Sequence, residues 1–183
     1  ADSFDVDVDE DATDGRPSQA TQIVDMALQA VSLWHSDEGD PFATMEVNGH
    51  RENRPLRSRE FRNYLDFSFY RAHKTTPNSQ ARQAAIDTLC GIALYDSPEH
   101  KVWTRIAEHR GSILLDLGDE DWKTVMIRPS GWEMVNNPPV KFQRPKSMRP
   151  LPVPLPNGSV DDLRRFLNLG SDADWVLIRA WLV

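Results

Sequence analysis

At 183 residues the chain suits one domain of ordinary size plus tails, long enough to bury a real core. Its formal charge of −7 is unevenly placed: residues 1–14 hold seven carboxylates and no Lys or Arg, and removing these seven from 28 leaves 21 acidic against 21 basic residues, so the acidity excludes no anionic partner for the body. A single cysteine, Cys90, excludes an internal disulfide and favours a reducing compartment, while the lack of any apolar run near ~20 residues, or of a basic-then-apolar leader, predicts a cytoplasmic protein with no membrane partner.

In chain order, residues 1–17 are too acidic and too poor in apolar side chains to fold alone. A first helix is predicted from Ser18 to His35, with Ile23, Met26, Ala27, Ala30 and Leu33 or Trp34 at helical spacing. Phe42–Val47 and Arg51–Arg57 are two strands joined across Asn48-Gly49, a dipeptide that tolerates the positive φ of a tight hairpin. Ser58 caps a helix to about His73, and Asn78 or Ser79 caps another to about Tyr95. The short connection between them predicts a packed helical pair.

Beyond Pro98 the period changes from helical to alternating. Val102, Thr104 and Ile106 share one strand face, and Ile113, Leu115 and Leu117 share another, with a turn at Arg110-Gly111. Val125, Ile127, Trp132 and Met134 continue the alternation, which predicts an antiparallel β-meander. Seven of the 13 prolines lie between Pro138 and Pro156, so that segment forms an extended strap. Ser159 caps a helix through Leu169, and Ser171 or Asp172 caps the last one. The fold class is α+β, divided into an acidic tail (1–17), an accessory domain (18–157) and C-terminal helices (158–183). The chain starts without Met and stops in the apolar helical pattern of residues 175–183, which predicts that the last helix leads into further protein.

Asp116, Asp119, Glu120 and Asp121 with Lys123 have the composition of a metal-nuclease site, in which carboxylates hold Mg²⁺ and a lysine supports the attacking water. That tripeptide-level signal is common, and the favoured reading is that Asp119–Asp121 form a solvated turn, with the metal nuclease as the alternative. His35, His50, His73, His100 and His109 are scattered singly, so no metal or other cofactor is expected, and no nucleophile-elbow, zincin, dinucleotide or P-loop motif is present. Positive charge is the stronger signal. From His50 to Arg82 eight basic residues face three acidic ones, and Arg51, Arg54, Arg57, Arg59 and Arg62 cluster around the hairpin and the following helix start. There, guanidinium forks and helix-terminal N–H groups suit phosphates. Lys141, Arg144, Lys146 and Arg149 add a second basic stretch free of acids. The competing reading is a solvated surface of locally paired charges.

Three stretches carry a resemblance: HRENRPLRSREFRNYL at His50–Leu65, LLDLGDEDWKTVMIRPSGWEMV at Leu114–Val135 and FQRPKSMRPLPVPLPNGSVDDLRRFLNL at Phe142–Leu169. Together they resemble the region just upstream of the ATPase core in prophage and mobile-element ATPases of primase–helicase type. The resemblance implies a P-loop ATPase domain following Val183 and a DNA-handling role for this accessory domain. DNA is the partner it implies, with Arg51, Arg54, Arg57, Arg59 and Arg62 and then Lys141, Arg144 and Lys146 as phosphate contacts. An alternative role is protein docking or oligomerisation through Trp175, Ile178, Trp181 and Leu182.

Overall fold

A computed structural model describes residues 17–182; the expected acidic tail lies, up to Arg16, outside the described residues. The fold is α+β, and the chain divides into two compact units between Pro150 and Leu151, ahead of the break expected at 157/158.

The first unit opens with helix α1, Gln19–Ala30, whose N-terminal amides are capped by the Ser18 hydroxyl. The predicted helix to His35 is too long. Val31–Ser36 is strand β1, an interior strand of its sheet. Helical spacing runs through Leu33, but a β-branched Val31 and pairing on both edges outweigh it. Strands β2 (Pro41–Val47) and β3 (His50–Pro55) form the expected hairpin. Asn48 and Gly49 both take positive φ, 49° and 83°, the backbone that a two-residue type I′ turn requires. The sheet order is β3-β2-β1-β4, with β4 at Glu99–His100 parallel to β1.

Helices α2 (Arg59–His73) and α3 (Ser79–Tyr95) start at the predicted caps, Ser58 and Asn78. They share one core and are bridged by the Asp66–Arg82 ion pair, but each packs mainly elsewhere than against the other. The closest helix partner of α3 is α1, which also meets α2, and Gln19 on α1 accepts a bond from the Asn78 amide at the start of α3. Ile23, Leu33, Met45, Phe61, Leu65 and Leu89 close this core between the helices and one sheet face. Cys90 lies inside it, where burial pushes the thiol pKa up and leaves it poorly nucleophilic.

The expected meander is present: β6 (Ile106–His109), β7 (Ser112–Asp116), β8 (Thr124–Arg128) and β9 (Gly131–Val135) pair antiparallel in that order. Its more buried face is the one opposite Ile113 and Leu115. Ala107, Ser112, Leu114, Asp116, Thr124 and Met126 are buried, whereas on the other face Ile106, Ile113, Ile127 and Trp132 are exposed and Val125 alone is fully covered. The inner face gathers around Phe142 of the proline-rich segment. That segment is extended as expected, apart from β10 (Lys141–Phe142), which pairs parallel with β5 (Val102–Trp103).

In the second unit, the predicted Ser159–Leu169 helix is a shorter 3-10 helix, Val160–Phe166, capped by Ser159. Helix α4 follows at Asp172–Leu182, where the Ser171 hydroxyl accepts from the Asp174 amide. Among the described residues no helix is long and apolar enough to cross a membrane.

Truncating the wholly buried Leu89 to Ala should destabilise the protein by about 2–5 kcal/mol in urea unfolding. Tyr95→Ala, on a side chain that is 91% exposed, should leave the midpoint within error.

Candidate nucleic-acid interface

The two basic stretches, far apart in sequence, meet in the first unit. β3 is the edge strand of its sheet, and the segment from Asn137 to Lys146 runs beside it. The Asn137 side-chain oxygen accepts from the Arg51 amide (3.2 Å), the Asn53 side chain donates to the Phe142 carbonyl (3.1 Å), and Lys146 Nζ lies 3.8 Å from Glu60 Oε1 at the start of α2. A groove of about 200 Å³ follows this junction, bounded by Arg54 and Ser58 on one side and Arg144, Pro145 and Lys146 on the other.

At the base of the junction Asp116 is 1% exposed and paired with Arg144, whose Nε donates to Oδ2 (2.8 Å) while Nη2 donates to Oδ1. A fork-to-fork pair of this kind fixes orientation as well as charge. Arg144 Nη1 also donates to the Asp119 carbonyl. Asp116 Oδ1 accepts from the Gly118 amide as well (3.0 Å). A side chain at Gly118, at φ +69°, would be strained and crowded, since a Cβ would lie 3.1 Å from Met148 Sδ and 3.3 Å from the Arg149 carbonyl.

The Leu117–Lys123 loop that follows β7 presents Trp122 toward β3. Arg144 lies over the Trp122 ring at 3.9 Å from its centroid, Arg54 lies 5.4 Å from it, and the His50 ring stacks at 6.4 Å. Trp122 takes a φ of +56°, an uncommon backbone for an aromatic residue; its two guanidinium contacts and burial offset that strain. Arg54 in turn is held by Glu52, which accepts from Arg54 Nε (2.9 Å) and from His50 Nε2 (3.0 Å). Burial raises the Glu52 pKa, but the bonds from His50 and Arg54 outweigh it and leave the carboxyl below its ordinary value.

Above this clamp, Lys141 extends over the outer face of the sheet. Its Nζ donates to the Thr44 hydroxyl (2.8 Å) and lies 5.3 Å from the centroid of the Trp34 ring. Thr44 also accepts from Trp34 Nε1 (2.9 Å) and donates to Asn53 Oδ1 (2.7 Å).

The expected phosphate contacts therefore fall into two groups. Arg54, Lys141 and Arg144 are partly or largely buried and engaged by protein groups: Arg54 pairs locally with Glu52, whereas Arg144 and Lys141 are held by the distant Asp116 and Thr44 rather than in the solvated, locally paired surface of the competing reading. Arg51, Arg57, Arg59, Arg62 and Lys146 lie at the surface. Arg57 pairs with Asp87 (3.0 Å) and Lys146 stands near Glu60; among the described residues Arg51, Arg59 and Arg62 have no carboxylate within 4.0 Å. The carboxylates of the metal-nuclease alternative are dispersed: Asp116 is bound to Arg144, Asp121 pairs with Lys123 at the surface of the turn expected there, and no group of three metal-ligating side chains occurs among the described residues. Sequence inspection missed the Trp122 clamp and Thr44–Asn53, for which the only signal was the FQRP segment itself.

In the second unit the expected docking residues separate. Trp175 is buried with its indole N–H on Asp161 (3.1 Å) and Ile178 is half-buried, whereas Trp181 and Leu182 are exposed. No protein-family model, curated protein or solved structure matches the chain.

Removing one member of the Asp116–Arg144 pair strands the other charge in the interior. Arg144→Ala should cost about 3–5 kcal/mol in urea unfolding. Adding Asp116→Asn to Arg144→Met should recover part of the loss, since no buried charge then remains.

Because the folded-state pKa of Glu52 is depressed, its stabilisation is present above the unfolded carboxylate range and is lost as pH falls through the folded value. The stability gap between wild type and Glu52→Gln should be widest near neutrality and close as the pH drops below about 4, the range in which an ordinary exposed carboxylate titrates. A series of urea titrations from pH 7 to pH 3 checks this.

Proposed function

We propose that this protein is a non-catalytic, nucleic-acid-binding accessory domain of a cytoplasmic phage or mobile-element replication ATPase of primase–helicase type. The observation that carries the reading is the convergence of the two basic stretches along the β3 edge and the start of α2, with Arg51, Arg59 and Arg62 at the surface and without carboxylate partners among the described residues. Cations left unpaired on a formally neutral body are available to displace counterions from a phosphate backbone. Paired arginines would have to give up an existing partner first.

The internal members of the set take a different role. Arg54 and Arg144 hold Trp122 and the strap in place, and Arg57, already bridged to Asp87, is a weaker contact. Direct phosphate contact falls to Arg51, Arg59, Arg62 and Lys146. The resemblance of His50–Leu65, Leu114–Val135 and Phe142–Leu169 to the segment preceding mobile-element ATPase cores supplies the context. In that context the exposed Trp181 and Leu182 on α4 face the neighbouring ATPase domain.

Binding to single-stranded or forked DNA should weaken steeply with salt. Arg59→Glu with Arg62→Glu should reduce affinity at least tenfold in fluorescence anisotropy at 50 mM salt. Neutralising both residues should lower the log–log salt slope by about 0.7 per lost contact on a single strand. If the protein gives no anisotropy change at low salt, and light scattering instead finds self-association that ends when residues 172–183 are removed, the docking role replaces this one.

A further inference from the structure

A second feature of the junction is a cavity of about 50 Å³ between β3, the meander and the strap, whose polar lining is Thr44, Arg51, Asn53, Asn137 and Lys141 together with Asp116 and Thr124, the rest being apolar. Its polar groups are unusually one-sided. The Asn137 oxygen is committed to the Arg51 amide, which assigns its side-chain NH₂ as the unspent group. The Asn53 oxygen is committed to the Thr44 hydroxyl, and its NH₂ uses one bond on the Phe142 carbonyl. Lys141 uses one of three protons on Thr44. The Arg51 guanidinium has no hydrogen-bond partner among the described residues.

The only anionic group in the lining is Asp116, and its charge is taken up by the two-pronged bond from Arg144. Glu46 borders the adjoining opening beside Arg51 and Lys141, but lies beyond ion-pair distance of either. Two cations thus approach each other across a space lined by spare donors. Burial pushes the Lys141 pKa down, and the Arg51 charge pushes it further. An anion between the two would relieve both effects.

We propose that this cavity receives a single phosphate group, held between the Lys141 ammonium and the Arg51 guanidinium and oriented by the Asn137 and Asn53 amides. A tetrahedral oxyanion offers only acceptors, which is what a lining of unspent donors can satisfy, and a metal cation or a neutral apolar group would leave these donors unmatched. The source of the phosphate, a nucleic-acid strand, rests on the function proposed above; the site itself rests on the lining alone.

The test uses the full chain with ¹³C-labelled lysine. Titration with inorganic phosphate at constant ionic strength should shift the Lys141 Cε signal saturably and raise its titration midpoint, while the exposed Lys74 and Lys101 stay unchanged. Arg51→Gln, which removes an exposed side chain, should keep the fold and weaken the phosphate response at least tenfold. Arg59→Gln with Arg62→Gln should leave the response intact while weakening DNA binding. A short single-stranded oligonucleotide that displaces phosphate identifies the strand as the source, whereas displacement by a nucleotide alone, without oligonucleotide binding, keeps the site and ends the nucleic-acid reading. A silent Lys141 in the folded wild type, or wild-type phosphate affinity in Arg51→Gln, overturns the proposal.

Discussion

The buried pair between Asp116 and Arg144 is the constraint on which the rest of the first unit depends. Each charge alone would be expensive in the interior, and the cost is offset only when both are present in the same geometry. Satisfying that geometry fixes the end of β7 and the extended segment against each other, although 28 residues separate them. It also sets Arg144 over Trp122, so the loop between β7 and β8 is pressed toward β3. Once the segment is fixed there, Phe142 fills the inner face of the meander and Lys141 is carried onto Thr44. One ion pair thereby connects the hairpin, the meander and the strap.

This explains why the meander packs with the less apolar of its two faces inward. Ser112, Asp116 and Thr124 are buried because Asp116 has a charged partner, and the Ile106, Ile113, Ile127 and Trp132 side chains lie outward as a consequence. An alternating pattern specifies that two faces exist, but which face is inner follows from what stands opposite it. With Arg144 supplied from a distant segment, a carboxylate outweighs isoleucine in choosing the face.

The same distinction separates what the amino-acid order shows from what it hides. Elements set by neighbouring residues were legible: the Ser58 and Asn78 caps, the Asn48-Gly49 turn, and an antiparallel meander with its turn at Arg110-Gly111, although its first strand starts at Ile106 and not at Val102. Strand β1 was not, because Leu33 and Trp34 fit a helical stripe as well as a strand, and its conformation is decided by β2 and β4 on its two edges. The candidate site was half legible. Counting charges locates the basic stretches, but the partners of Arg54, Lys141 and Arg144 are Glu52, Thr44 and Asp116, and only the fold brings the latter two into reach.

Those internal pairings also bear on how a formally neutral body can present a positive edge. Glu52 and Asp116 are spent inside the junction on Arg54 and Arg144, and Asp66 is spent on Arg82 between α2 and α3. Each such pair removes one carboxylate and one cation from the surface, so net charge is unchanged while its placement is not. Asp121 and Glu133 are engaged locally by Lys123 and Arg128 on the meander. What remains along β3 and the first turn of α2 is Arg51, Arg59 and Arg62, backed by Lys146. A composition-level charge balance therefore says little about this edge, because an anion approaching within a Debye length responds to the nearest unpaired charges rather than to the sum over the chain.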